Sequence, residues 1–272
     1  MVPETSQPSQ PPAIPTFTLR GGATIPMLGL GTWQLEGDAG YDAVREALAL
    51  GYRHIDTATS YKNESIVGRA VKHSGVDREE LFLTTKLPAD RIDDARQTLE
   101  TSLTALETDY LDLWLLHWPP KNPQLAGTWE QMIKAQNDGL VKSIGVSNFD
   151  NDQLDLVIEK TAVTPALNQI PWSPNQFDAQ VLADHARRGV VVEGYSPFKG
   201  ADLAAPVLQE IADAHSATVP QIIIRWHLDR GVVVIPKSAH SKRLAQNLAA
   251  AELQLTDAEL EKIDGLSDEQ KE

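Results

Sequence analysis

The chain has no cysteine among its 272 residues. That removes disulfides, thiolate catalysis and cysteine-based metal sites, and it suits a reducing compartment, so the cytoplasm is the expected location. Basic residues are scarce: 24 Lys and Arg stand against 38 Asp and Glu, a net charge of −14. Such a chain is a poor partner for nucleic acid or an anionic membrane, and any anionic ligand needs a local positive site. No apolar run approaches the ~18 residues of a membrane-spanning helix. No internal linker divides the chain, and no long exposed apolar stripe announces a partner, so a monomer is expected. The first 15 residues, MVPETSQPSQPPAIP, lack both basic residues and an apolar core and are no signal peptide. With five prolines they read as a disordered tail. Residues 16–272 are then left as one domain.

What the chain does have is apolar residues, at 42%, enough for a large core. TFTLRGGATIP, residues 16–26, reads as a hairpin turning at Gly21 and Gly22. Eight short, mostly apolar, β-rich runs follow: MLGLGTW, YRHIDTA, LFLTTK, LDLWLLHW, KSIGVSN, PALNQI, VVVEGYSP and VVVIPKS. Strands buried on both faces read this way. Helical patterns lie between them, such as 40–50, ending at Gly51, and 92–106, where Ile92, Ala95, Leu99, Leu103 and Leu106 share one stripe. Alternation with short connections implies a parallel sheet with right-handed crossovers, and eight units imply a closed (β/α)8 barrel, which needs about 250 residues. The rival is an open doubly wound sheet, which normally carries a glycine fingerprint after its first strand. GLGTWQ has Gln34 where the third glycine belongs, so that fingerprint fails.

A barrel of this kind builds its chemistry at the C-terminal ends of its strands. The polar exceptions to the apolar runs fall there: Asp56, Lys86, His117, Asn148, Gln169, Tyr195 and Lys237. Tyr61 follows Asp56 in a stretch of small polar residues. Asp56, Tyr61, Lys86 and His117 together suit proton transfer at a carbonyl. A phenol titrates near 10, too high for efficient acid–base work, and a buried ammonium beside it is expected to lower that value. Lys86 supplies the ammonium and Asp56 its counter-charge; His117 donates a hydrogen bond that orients the substrate oxygen. A metal at His117 and Asp56 is disfavoured, because no second histidine stands at ligand spacing and a lysine shares the cluster. VVVIPKSAHSKRLAQN, residues 232–247, holds Lys237, Lys242 and Arg243 with no acid and runs from a strand end into a helix, which reads as an anion site. Trp33 and Trp118 frame the same mouth and, with Tyr195, suit a planar cofactor or an apolar pocket.

Residues 16 to about 266 resemble the aldo-keto reductases, most closely their prokaryotic, diketogluconate-reductase-like branch. GYRHIDTATSYKNESIVGRAV is similar to the family's aspartate–tyrosine signature, LDLWLLHWP to its histidine strand, and VVVIPKSAHSKRLAQN to its cofactor-phosphate motif. The resemblance implies metal-independent, NADPH-dependent reduction of aldehydes and ketones on a (β/α)8 barrel, with the hairpin capping the barrel bottom and NADH accepted more weakly. It implies Tyr61 as general acid, Asp56 and Lys86 as its tuning pair, and His117 as orienting group. It implies Ser147, Asn148 and Gln169 on the nicotinamide carboxamide and Tyr195, with Ser196, at its ring. Lys237, Ser238, Arg243 and Asn247 are implied at the adenosine phosphate. Pro88, Ala239 and Gln246 depart from the family pattern. Short stretches after Trp118 and Phe198, and an end at Glu272 soon after the last helix, lead to the expectation of an open pocket and a broad substrate range. A regulatory subunit that senses nicotinamide nucleotides, with vestigial catalysis, is the alternative; a phosphate-binding barrel isomerase or lyase would leave Asn148, Gln169 and Tyr195 idle.

Overall fold

A computed structural model describes residues 12–121 and 124–267. The tail expected over 1–15 therefore falls outside the described residues for 1–11. Ile14 already packs on the core, and the Pro15 carbonyl accepts from the Met27 N–H at 2.8 Å, so the barrel takes in residues before Thr16.

The hairpin consists of β1 (Thr16–Thr18) and β2 (Thr24–Pro26), paired antiparallel. Eight parallel strands follow in sequential order: β3 (Leu30–Gly31), β4 (His54–Asp56), β5 (Phe82–Leu87), β6 (Leu111–Leu116), β7 (Val141–Ser147), β8 (Leu167–Pro171), β9 (Val191–Tyr195) and β10 (Val233–Val234). Each lies within or beside one of the eight apolar runs. The first and last strands close the ring: the Gly29 N–H donates to the Val234 carbonyl (2.9 Å), Val234 to Met27 (2.8 Å) and Gly31 to Pro236 (3.2 Å). Gly31 is required there, since a Cβ on it would sit 2.7 Å from the Ile235 carbonyl oxygen. The hairpin underlies the N-terminal end of the ring, where Ile25 is fully buried and the Pro26 carbonyl meets the His54 ring.

The helices follow the apolar stripes. α1 (Gly37–Leu50) ends at Gly51, whose φ of 114° only glycine adopts at no steric cost. The stripe over 92–106 becomes a short 3₁₀ turn, Ile92–Asp94, leading into α3 (Ala95–Ala105), and all five of its apolar residues are buried. α2 (Glu64–Lys72) precedes it, and α4 (Leu125–Asn137), α5 (Asn151–Thr161), α6 (Ala179–Arg188), α8 (Val219–Asp229) and α9 (Ser241–Ala249) complete the outer ring. α7 (Pro206–Ala214) and α10 (Asp257–Asp264) are additions that pack with α8 around Leu208, Ile211, Trp226 and Ile263. Among the described residues no helix is long and apolar enough to cross a membrane.

Candidate active site

A pocket of about 690 Å³ opens at the C-terminal end of the barrel. The small polar residues after β4 fix its wall. The buried Asn63 side chain donates to the Thr32 and Leu35 carbonyls (2.7 and 3.0 Å) and accepts from the Thr57 hydroxyl (2.9 Å). The Thr59 hydroxyl donates to the Lys86 carbonyl at 2.9 Å, and Thr85 to the Glu64 carboxylate at 2.6 Å. The 3₁₀ turn Thr59–Tyr61 is thereby tied to β5, and Tyr61 is carried over the strand ends.

Lys86 is fully buried, and its Nζ donates to Asp56 Oδ1 (2.6 Å), to the Thr57 carbonyl (2.9 Å) and to Tyr61 Oη (3.4 Å). Burial opposes the charge on Lys86, but Asp56 and then Tyr61 outweigh it and hold the ammonium above the ordinary lysine range. Tyr61 departs from the sequence expectation in sign. Burial of the ring raises the phenol above its usual value by more than Lys86 lowers it. The phenol is therefore fully protonated at neutral pH, while the ammonium remains beside it to receive a phenolate. The His117 ring meets Tyr61 edge-on, with centroids 5.8 Å apart. Burial, then Lys86, push His117 down to about 4, so its imidazole is neutral at pH 7 and has one N–H to give.

Trp33, Trp118, Ser147, Asn148, Gln169, Tyr195, Ser196 and Lys237 also line the pocket. Trp33 and Trp118 are each 51% exposed at the mouth. The Ser147 hydroxyl donates to the Gln169 carbonyl (2.8 Å), Asn148 Nδ2 to the His117 carbonyl (3.1 Å), and Tyr195 Oη to Asn148 Oδ1 (2.8 Å). Three of the non-glycine residues with positive φ, Gln34 (64°), Asn148 (64°) and Ser196 (54°), lie on this wall. Strained backbone gathers where the surroundings hold it for a purpose. Ser238, Arg243 and Asn247 do not line the pocket: they lie beyond Lys237, in the turn into α9 and on that helix. Lys237, Lys242 and Arg243 are exposed, and among the described residues none forms an ion pair. Free cations and helix N–H groups at this rim suit a phosphate.

Phe198 and Lys199 line the pocket without having been anticipated, because they lie in a loop with no strand pattern to mark them. Glu193 and His54 lie beneath the cluster, fully buried. They too are polar breaks in apolar runs, but they stand away from the C-terminal strand tips, His54 at the start of β4 and Glu193 in the middle of β9.

By comparison with known proteins, this eight-stranded barrel with its polar cluster at the strand ends belongs to a class of oxidoreductase barrels. The model of the aldo/keto reductase family matches residues 27–268, and the chain belongs to that family. It is 45% identical to the methylglyoxal reductase DkgA of Salmonella typhimurium over 249 residues, 90% of each protein. The crystal structure of an aldo/keto reductase from Brucella melitensis superposes with a TM-score of 0.90 at 42% identity, covering 93% of this chain and all of that one. A Bombyx mori aldo-keto reductase in complex with NADP gives a TM-score of 0.85 at 35% identity over 93% of this chain and 92% of that one.

Proposed function

We propose that the chain reduces aldehydes and ketones to alcohols with a nicotinamide cofactor, NADPH in preference to NADH, and with Tyr61 as general acid. The observation that carries this reading is the buried Asp56–Lys86–Tyr61 chain ending beside a neutral His117 at the floor of an open pocket. When bound, the cofactor supplies hydride to the carbonyl carbon. The protein's residues do the rest. His117 donates its N–H to the carbonyl oxygen and aims that oxygen at Tyr61. As charge builds on the oxygen, Tyr61 releases its phenolic proton to it, and Lys86, 3.4 Å away, stabilises the phenolate left behind. Asp56 keeps Lys86 charged.

Ser147, Asn148 and Gln169 hold the nicotinamide carboxamide, and Tyr195 with Ser196 flanks its ring. Lys237, Ser238, Arg243 and Asn247 hold the adenosine phosphate. The free cations at that rim favour a 2′-phosphate and hence NADPH. Half-exposed Trp33 and Trp118 at the mouth suit a broad range of carbonyl substrates, and methylglyoxal, named in a close relative, is the first dicarbonyl to try.

The test is NADPH consumption with a reactive aromatic aldehyde and with methylglyoxal, comparing wild type with Tyr61→Phe. Wild type turns over; the variant binds NADPH equally well and loses about a hundredfold or more in kcat. Tight NADPH binding without turnover by wild type would reject the reading in favour of a nucleotide-sensing role.

A further inference from the structure

Beneath the cluster lies a second ionisable pair that proton transfer at the pocket does not use. Glu193 comes from the middle of β9 and His54 from the start of β4. His54 Nδ1 stands 3.1 Å from the Pro26 carbonyl, which can only accept, so this nitrogen carries a proton, and in the neutral ring Nε2 is then a bare acceptor. Nε2 faces Glu193 Oε1 at 3.5 Å, and among the described residues neither atom has a hydrogen-bond partner. The other carboxyl oxygen, Oε2, accepts from Gln169 Nε2 at 2.8 Å, and the same nitrogen donates to Asp56 Oδ2 at 2.8 Å. An amide nitrogen has two hydrogens, and both are committed here. Turning the amide over would set its oxygen against Asp56 and Glu193 together. Gln169 thus spans the acid that neutralises Lys86 and the acid that faces His54, and only its Oε1 is left for a ligand.

We propose that Glu193 is a positioning residue for the carbonyl reduction: it holds a proton toward His54 Nε2, locks the Gln169 amide in one orientation, and through it fixes Asp56 beneath Lys86. The kinetic part of this inference rests on the reductase reading.

The surroundings of Glu193 say where the proton resides. It faces His54 and Asp56 from β4, Lys86 from β5 and the neutral Gln169 from β8, while β10 sets Val233 beside it. Burial and then Asp56 push Glu193 up to about 8, and burial pushes His54 down to about 4. At neutral pH the carboxyl is protonated, the imidazole is not, and the pair carries no charge. Above about 8 Glu193 ionises, and its charge raises the Tyr61 phenol further, weakening it as an acid.

The experiment has two arms. Nitrogen NMR of the histidine rings in the wild-type protein, without cofactor or substrate, reads the pair directly. His54 is expected to keep its Nδ1–H tautomer from about pH 5 to pH 9, with an Nε2 resonance that moves near pH 8 as Glu193 ionises. A flat Nε2 resonance, or a His54 that charges near its ordinary value, would overturn the proton assignment whatever the enzyme's activity. The second arm is the pH profile of kcat. Glu193→Leu, which cannot accept from Gln169, lowers kcat about tenfold, while Glu193→Gln, which can still accept from Gln169 and donate to His54, restores it and removes the decline near pH 8. Identical profiles for wild type and Glu193→Gln would overturn the proton assignment, and an undiminished kcat in Glu193→Leu would overturn the positioning role. A chain that reduces no carbonyl under any condition fails the functional reading alone, because the NMR arm needs no turnover.

Discussion

The two groups of cations in this barrel are built in opposite ways. Lys86 is fully buried, with three oxygen partners within 3.4 Å, one of them a carboxylate at 2.6 Å. Lys237, Lys242 and Arg243 are exposed and pair with no acid among the described residues, in a chain whose net charge is −14. A buried ammonium without a counter-charge would lose its proton, so the interior cation must be neutralised by the fold itself. An exposed cation keeps its charge in water and remains available to a mobile anion. The first arrangement suits a group that must be in place before substrate arrives, the second a group whose partner is the ligand. Damage to the first should therefore be felt in kcat and stability, and damage to the second in affinity.

The largest effect is expected at Lys86. Lys86→Met leaves Asp56 buried without its cation, at a cost of about 3 to 5 kcal/mol in denaturant unfolding, and lowers kcat by roughly a hundredfold or more. Adding Asp56→Asn should recover much of the stability and none of the rate. A double variant as unstable as the single would show that the cost lies in packing and would break the contrast.

Arg243→Ala comes next. Under the proposed function, losing a charge-assisted contact to a 2′-phosphate is expected to raise the dissociation constant for NADPH by roughly ten- to a hundredfold and to leave that for NADH nearly unchanged. The unfolding midpoint should stay within experimental error, since the side chain is exposed and forms no ion pair among the described residues. Binding titrations with both nucleotides check this; equal weakening of the two would remove Arg243 from the phosphate.

The contrast also explains what could be read from the sequence. Eight apolar runs separated by helical stripes yield the barrel, because strands covered on both faces must be apolar and crossovers must be helical. Polar breaks at strand ends lead to Asp56, Lys86, His117, Asn148, Gln169 and Tyr195, all at one rim. Three things were not legible. The sign at Tyr61 depends on how burial weighs against Lys86, and burial of a loop residue has no sequence signature. Phe198 and Lys199 reach the pocket from a loop whose path no periodicity encodes. Glu193 and His54 break apolar strands as openly as Asp56 does, but mid-strand polar residues acquire meaning only when the register of β4, β8 and β9 brings them around Gln169.

The smallest effect sharpens the comparison at the barrel floor, where charge is avoided instead of paired. His54 has a folded value of about 4, below its ordinary 6.5, so between those limits only the unfolded chain binds its proton and stability rises with pH. Glu193 has a folded value of about 8, above its ordinary 4.5, so between those limits only the folded chain binds its proton and stability falls with pH. The two slopes oppose each other from about pH 4.5 to pH 6.5, and only the Glu193 slope continues from about pH 6.5 to pH 8. Across that upper window it takes away on the order of 1 to 2 kcal/mol. Glu193→Gln, which cannot titrate, should cancel the upper fall and leave the His54 rise unopposed below it. Urea unfolding of wild type and variant at matched pH values isolates the difference, because every other titrating group is common to both. If the two curves run parallel from pH 5 to pH 8, Glu193 is ionised in the folded protein at neutral pH, and the floor of the barrel is charged like the cluster above it.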